Sequence, residues 1–244
     1  MPVHNEEKNL ILSLPSIFKL KPDEVILIFD RCTDRSLKIA EKITKNFNYQ
    51  YKTRFIEINE PSPDWNYRVA YLMRYGYRLS KNDAILVTAA DIILDERLKY
   101  YFEKLRKNNV MLMSFSIIPY PLDIRYFLRK IISTLSPRMG FSGIILFSKS
   151  AWMETEDEES AKKIIKAQDT HLRLSIQKKY DRLHLQSKTI HLRPRENAMD
   201  HYLRGVAYWQ VVRKPLWKAL FYSAVYFRPM MLLGYLHAKS KIYK

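Results

Sequence analysis

Apolar and polar positions along this chain follow two periods in turn. Lys8 to Lys19 carries apolar residues at helical spacing and predicts a short helix, interrupted early by Pro15. Val25 to Phe29 is an unbroken apolar run of branched and aromatic residues. It is too short for a helix and predicts a buried parallel strand. Arg35 to Phe47 returns to helical spacing, with Leu37, Ile39, Ala40 and Ile43 on one face and Thr33 or Asp34 as the N-cap. Lys52 to Ile58 alternates weakly and predicts a second strand. Tyr67 to Leu79 predicts a helix, and Asp83 to Thr88 a third strand. Strand and helix in alternation predict a doubly wound α/β sheet.

The second half changes character. Val110 to Phe115 and Ser142 to Phe147 predict strands separated by a long insert, which carries Pro119, Pro121 and a basic helix over Ile124 to Thr134. Ala161 to Lys178 predicts one helix, and strands follow near Leu183 to Leu185 and Lys188 to Leu192. No internal repeat or low-complexity tract interrupts this order.

Composition narrows the classes. A chain of 244 residues can bury one substantial core, or a core plus a small appendage. Five glycines against 17 tyrosines argue against linkers or a repeat array. Cys32 is the sole cysteine, which excludes an intramolecular disulfide and a cysteine zinc cage and fits a reducing cytosol. The formal charge of +17 calls for an acidic partner: nucleic acid, anionic lipid or a phosphorylated substrate. No Asp or Glu follows Asp200, so positive charge concentrates in the tail. Met1 leads straight into Pro2 and a polar turn, which is not a secretory signal. Pro215 to Leu236 contains Lys218, Arg228 and Pro229, which argues against a spanning helix.

Three polar loops beside strand ends are the arrangement an α/β nucleotide site needs. They are Pro2 to Glu7, Asp30 to Ser36, and the stretch ending at Asp91 after Ile85 to Ala90. Asn5 and Glu6 offer amide and carboxylate groups to a base or ribose, or simply start a helix whose dipole favours acids. Asp30 can accept from a uracil or guanine N–H, or make a turn, and Asp34 and Ser36 can cap the next helix. Asp169 shares a helix face with Leu172, so an apolar anchor can hold it at a cleft, or it faces solvent. Gly140 and Gly143, two of the five glycines, flank Ser142 before a strand and favour close backbone approach to a ligand. Trp65 either stacks on a sugar or packs in the core, and His191 ends a predicted strand.

In order and spacing these residues resemble a family 2 glycosyltransferase of the GT-A fold over about residues 2 to 195. Pro2-Val3-His4-Asn5-Glu6-Glu7 is similar to the family's Pro-x-Tyr-Asn-Glu-Glu loop, with His4 at the aromatic position. Asp30-Arg31-Cys32-Thr33-Asp34 resembles its Asp-Gly-Ser-Thr-Asp loop. Asp91 matches the second acid of its Asp-x-Asp motif, with Ala89 in place of the first. Gln168-Asp169-Thr170-His171-Leu172 resembles Glu-Asp-x-x-Leu, with Gln168 for the glutamate. In the family an apolar strand precedes the first proline. Here Met1 leaves that strand missing, or the sheet built without it.

The resemblance implies a Rossmann-like, mostly parallel sheet flanked by helices. It implies a nucleotide site from Pro2, His4, Asn5, Glu6, Asp30 and Asp34, and Mg²⁺ or Mn²⁺ on Asp91 with help from His191. It implies a general base in Asp169 and sugar or acceptor contacts from Gly140, Ser142 and Gly143. Asp95 falls on the acceptor side or caps a helix. The expected reaction is metal-assisted, inverting sugar transfer from a UDP- or GDP-linked donor to a lipid-linked or glycan acceptor.

Residues 201–244 are expected as a separate amphipathic extension of the 1–200 domain, with nine aromatic rings from Tyr202 to Tyr235 among Lys and Arg. Such a stretch suits a helix in lipid headgroups, on the cytosolic membrane face. It can equally pack on the main domain. Two other functions stay open: a catalytically degenerate nucleotide-sugar-binding protein, and a basic nucleic-acid-binding protein, for which no recognition motif is found.

Overall fold

The structure, a computed structural model, describes residues 1–62, 64–107, 110–120, 144–192, 197–209, 215–225 and 228–240. The predicted helix over Ile124 to Thr134 lies outside the described residues, as do Gly140, Ser142 and Gly143.

Strands β1 (Pro2–Val3), β2 (Val25–Asp30) and β3 (Thr53–Ile58) form a wholly parallel sheet with β2 in the middle. Helices α1 (Glu7–Lys19) and α2 (Ser36–Asn46) make the crossovers, as parallel pairing requires. The first strand is thus present as a two-residue stub: Pro2 and Val3 pair with Ile28 and Phe29, and the Ile28 amide donates to the Met1 carbonyl at 2.9 Å. Pro15 lies inside α1 without ending it. The bond it deletes would run to the carbonyl of Ile11, a residue on the solvent face where water can take its place.

Helix α3 (Arg68–Leu79) leads to the second sheet, whose order is β4 (Ala84–Val87), β7 (Ile144–Ser148), β6 (Leu112–Pro119), β8 (Arg182–His191) and β5 (Ile92–Ile93). Only β6 and β8 run parallel in it; β7 is antiparallel to both its neighbours and β5 is antiparallel to β8. Helix α4 (Lys99–Lys107) follows the 3-10 turn Glu96–Leu98.

Alternation explains why β7 reads as a continuous apolar run. Ile144 and Leu146 join Met113 and Phe115 in a core shared with Leu10, Leu14 and Phe18 of α1 and Leu27 and Phe29 of β2. Ile145 and Phe147 face the other way, against Met73 and Tyr77 of α3, Trp152, Leu172 and Ile176. A strand buried on both sides has no polar face to show.

Two predicted elements are corrected. The single helix over Ala161 to Lys178 is two, α6 (Glu158–Lys163) and α7 (Gln168–Ile176), following α5 (Lys149–Thr155). Asn66 takes the carbonyls at the end of α6: its amide donates to Lys162 and its side chain to Lys163. Ala167 then turns left-handed at φ 64° to start α7. The two short strands after Leu183 are one, β8, bulged at its polar middle. The register against β6 shifts between Phe115 and Ile117, and the Ser187 amide donates to Ser116 Oγ at 2.9 Å.

After residue 197 the described residues form the helices α8 (Ala198–Ala207), α9 (Leu216–Val225) and α10 (Pro229–Ser240). Asn197 and Asp200 close a capping box on α8, and Lys166 pairs with Asp200 at 2.5 Å. Helices α8 and α10 meet backbone to backbone. A Cβ on Gly205 would stand 1.9 Å from the Met231 carbonyl oxygen, and one on Gly234 2.0 Å from that of Tyr202. Among the described residues no helix is long and apolar enough to cross a membrane.

Candidate active site

The first two polar loops brace each other. Asn5 Oδ1 accepts from the Thr33 amide at 2.8 Å, Ser36 Oγ from the Glu6 amide at 2.8 Å, and Asp34 Oδ2 from the Glu7 amide at 3.1 Å. Asp34 Oδ1 also accepts from the Ser36 amide at 2.9 Å. Burial opposes the Asp34 charge, yet the bonds from Ser36 and Glu7 hold its carboxyl below the usual range. His4 Nδ1 lies 2.6 Å from the Asp30 carbonyl, and Glu6 accepts from Asn9 Nδ2. Asn5 and Arg31 take left-handed backbone, at φ 52° and 48°. Such a turn costs Arg31 roughly 1–2 kcal/mol, offset by the ion pair its guanidinium makes with Asp30.

Asp30 ends β2 as a buried carboxylate held by two guanidinium groups. Arg31 Nε reaches Oδ1 at 3.0 Å, and Arg68 Nε, from the start of α3, reaches the same oxygen at 2.6 Å. Arg68 is itself fixed by the Ile58 carbonyl and Ser62 Oγ. The sequence reading did not find this partnership, because Arg68 lies thirty-eight residues from Asp30 and belongs to no recognised motif.

The third loop, after β4, places Asp91 directly before β5, only 2% exposed. His191 at the end of β8 meets it, Nε2 to Oδ2 at 3.2 Å, and the Leu192 amide donates to the Asp91 carbonyl at 2.8 Å. The two residues expected at the metal are therefore side by side. Among the described residues no group of three His, Cys, Asp or Glu side chains could hold a metal ion. One carboxylate and one imidazole fit a divalent cation that takes its other ligands from a diphosphate and water, not from a protein cage.

Asp169 sits half-buried in the first turn of α7, beside Leu172, which is buried. Its surroundings are fixed by a buried charge network that the sequence did not reveal. Arg74 of α3 donates from Nε to Glu156 at 2.5 Å and from Nη1 to the Ala70 carbonyl, and Nη2 lies 3.1 Å from His171 Nδ1. His171 Nε2 reaches Ser160 Oγ at 3.2 Å, and burial followed by the Arg74 charge pushes His171 below its ordinary value. Trp65 packs on this network, its ring 5.6 Å from the Arg74 guanidinium carbon and 5.9 Å from the ring of Tyr71.

Asp95 caps the 3-10 turn Glu96–Leu98 by accepting from the Arg97 amide. It also accepts from the Lys188 amide at 2.7 Å, which ties the turn to β8.

Parallel βαβ units whose polar loops interlock at the strand ends, with a carboxylate–imidazole pair on the adjoining mixed sheet, define a GT-A-like α/β protein. The chain belongs to glycosyl transferase family 2, whose model matches residues 1–156. No curated protein matches the chain. Among solved structures, TarS 1–349 of S. aureus is similar with a TM-score of 0.58 at 15% identity, over 86% of this chain and 63% of that one. The same protein in complex with UDP gives 0.57 at 16% identity over 86% and 63%. Glucosyl-3-phosphoglycerate synthase of M. tuberculosis gives 0.51 at 15% identity, over 86% of this chain and 78% of that one. The chain thus spans less than two thirds of TarS 1–349, and at these identities the likeness is one of fold.

The Arg97 hydrogen bonds, with those from the Lys188 and Arg97 amides, hold the Asp95 carboxyl down at about 2 against partial burial. A lowered carboxyl stabilises the fold above its unfolded value near 4 and loses that contribution as pH falls through about 2. Asp95→Asn should therefore lower stability by about 1 kcal/mol at neutral pH. In denaturant melts the gap from wild type should close between pH 4 and pH 2; a gap independent of pH would contradict the assignment.

Proposed function

We propose that this chain transfers a sugar from a nucleoside-diphosphate sugar to an acceptor hydroxyl, with inversion. The observation that carries the reading is the meeting of Asp91 and His191, one hundred residues apart, beside two interlocked loops in a family 2 fold. The UDP complex of TarS supports a UDP-linked donor, and GDP is the other candidate base. Pro2, His4, Asn5, Glu6, Asp30 and Asp34 line the nucleotide end in this reading. Asn5 and Asp34 shape the loops through the bonds above, and Asp30 reads the base jointly with Arg68, which it orients. Asp91 and His191 would hold Mg²⁺ or Mn²⁺, which when bound neutralises charge on the departing diphosphate. Asp169 takes the proton of the attacking hydroxyl. Gly140, Ser142 and Gly143 remain proposed sugar contacts.

A lipid-linked or membrane-proximal acceptor is favoured by α9. Trp217, Leu220 and Phe221 recur at positions i, i+3 and i+4, and all are exposed. A helix with such a face on a basic chain suits a headgroup layer, where each nearby Lys or Arg adds roughly 1 kcal/mol on anionic lipid. In this reading the protein sits peripherally on the cytosolic membrane face. A second reading, a nucleotide-sugar-binding protein without turnover, is favoured by Ala89 and by the two guanidinium groups already on Asp30.

Calorimetric titration with UDP, GDP and ADP, with and without Mn²⁺, tests the donor site. One diphosphate should bind in a metal-dependent manner, and Asp91→Ala should weaken it about tenfold or more; no binding to any of the three would remove the transferase reading. With a hydroxyl acceptor, Asp169→Asn should cut turnover by about a hundredfold or more, whereas full turnover would show that Asp169 is not the base. Replacing Trp217 and Phe221 together by Ser should abolish sedimentation with anionic vesicles. Equal sedimentation of both proteins would sink the membrane assignment.

A further inference from the structure

Asp169 owes its place to a break in a helix that the local sequence does not make. Ala161 to Lys178 has helical spacing and contains neither glycine nor proline. Were the helix to run on, the carbonyls of Lys162 and Lys163 would accept from the amides of Lys166 and Ala167, each four residues ahead. Asn66 takes both carbonyls instead. Its amide donates to Lys162 at 2.9 Å and its Nδ2 to Lys163 at 3.1 Å. Helix α6 therefore stops at Lys163, the chain turns left-handed at Ala167, and α7 sets out afresh with Asp169 in its first turn.

The joint between α6 and α7 is held rather than relaxed. A non-glycine residue at φ 64° is unfavourable and persists only where its surroundings fix it. Ile164 is buried, and Lys166 pairs with Asp200 at 2.5 Å. Asn66 supplies the remaining hold, and it rides on a stretch that is itself fixed. The Trp65 amide donates to the Ser62 carbonyl at 3.0 Å. The Trp65 ring lies 5.6 Å from the guanidinium carbon of Arg74, whose Nη2 lies 3.1 Å from His171 on α7. Arg68, two residues after Asn66, reaches Asp30 at 2.6 Å. The stretch Trp65–Arg68 thus touches Asp30 at one end and the joint before Asp169 at the other.

We propose that Asn66 is a positioning residue for Asp169, and that Trp65–Arg68 links the placement of Asp169 to occupancy of the nucleotide end at Asp30. The inference rests on the glycosyl-transfer reading for the role of Asp169, while the joint itself stands on the two bonds from Asn66. Asn66 touches no reacting atom. It acts through the direction that α7 takes, and a misplacement of about 1 Å at a reacting group can cost on the order of a hundredfold in rate. A nucleotide that draws Arg68 from Asp30, or fixes it there, acts two residues from Asn66. The donor end and Asp169 therefore respond together.

Full-chain variants separate placement from stability. Asn66→Asp keeps the shape but sets an acceptor against the Lys163 carbonyl, and Asn66→Gln keeps the donor. Glu24→Gln breaks the Arg54 pair just before β2, at the opposite end from Asp30, and controls for a general loss of stability. Turnover is read as diphosphate release from UDP-glucose and GDP-mannose with glycerol as the hydroxyl. Asn66→Asp should lower kcat about tenfold or more while UDP or GDP with Mn²⁺ binds within about threefold of wild type. Asn66→Gln and Glu24→Gln should keep kcat within about threefold. In an Asp169→Asn background the same Asn66→Asp change should cost less than about twofold, because the group it places is gone. Amide hydrogen exchange gives a readout without turnover. The His171 amide, bonded to the Ala167 carbonyl at 3.0 Å, should exchange about tenfold faster in Asn66→Asp, not in Glu24→Gln, and more slowly in wild type with bound UDP or GDP and Mn²⁺. Thermal melts confirm folding, and Asn66→Ala removes the same donor from this exposed side chain if Asn66→Asp does not fold. An unchanged kcat in Asn66→Asp, or an equal loss with and without the Asp169 carboxylate, overturns the positioning role. Unchanged exchange at His171 in Asn66→Asp overturns the joint, and exchange in wild type that a bound diphosphate does not slow overturns the link to Asp30. Faster exchange in Asn66→Asp of a chain that neither binds a diphosphate nor turns over separates the two ideas: Asn66 holds the joint, and the transferase reading falls together with the role of Asp169 in it.

Discussion

Arg74 is the residue on which the two halves of this molecule depend. Its side chain is 1% exposed, and a guanidinium at that depth needs a complete set of acceptors. It finds them in Glu156, in the Ala70 carbonyl of its own helix and in His171, whose other nitrogen reaches Ser160. Glu156 is held in turn by Trp152 Nε1 at 2.5 Å. The chain before residue 80 is thereby locked to the helices after 149. Removing one partner from such a pair leaves a buried charge uncompensated, which costs about 3–5 kcal/mol. A neutral His171 suits the arrangement, since its protonation would set a second cation against Arg74. The consequence for function is positional: α7, which carries Asp169, is anchored through His171 two residues on.

The same economy of charge governs the nucleotide end. The chain has 25 acids against 42 basic residues, and several of its acids turn inward at loops rather than outward. Asp30, Asp34, Asp91 and Asp95 each hold loop or strand-end groups that would otherwise lack partners. Asp30 shows that such a carboxylate can serve two ends. Its pairing with Arg31 and Arg68 makes it an orienting group for cations, so a ligand arriving there meets guanidinium N–H groups as well as a carboxylate. In the proposed nucleotide site, base recognition would therefore depend on whether Arg68 stays or yields.

Much of the fold was legible because local pattern and tertiary demand agree. The run Val25–Phe29 is apolar because β2 lies between β1 and β3, and the polar break at Asp30 marks the strand's end. Helices α2 and α3 fell within a residue or two of their predicted bounds for the same reason. The failures came where distant residues decide. Ile164 to Ala167 contains no glycine or proline, so nothing local announces that Asn66 will cap α6 there. Gln186 and Ser187 look like a gap between strands, yet the bulge lets one strand absorb them. In the site, the motif loops were legible through their resemblance to the family. Arg68 and Arg74 were not, since arginine is common here and only the fold tells a bound guanidinium from a solvated one.

The remaining question is chemical. A divalent cation bound to diphosphate already has phosphate oxygens as ligands, so the protein must add only enough to fix its place. A second acid at position 89 would add negative charge and affinity in the absence of nucleotide. Alanine there, with His191 brought to Asp91 by the β5–β8 pairing, gives a weaker and less charged pair. In the proposed reaction such a pair would favour a cation that arrives with the nucleotide and leaves with it. On a chain of net charge +17, the proposed arrangement would put the positive charge needed for the leaving group into the donor complex itself. In the proposed reaction the free protein would then not have to hold a metal beside its own guanidinium groups, and an alanine at position 89 would not by itself bar turnover.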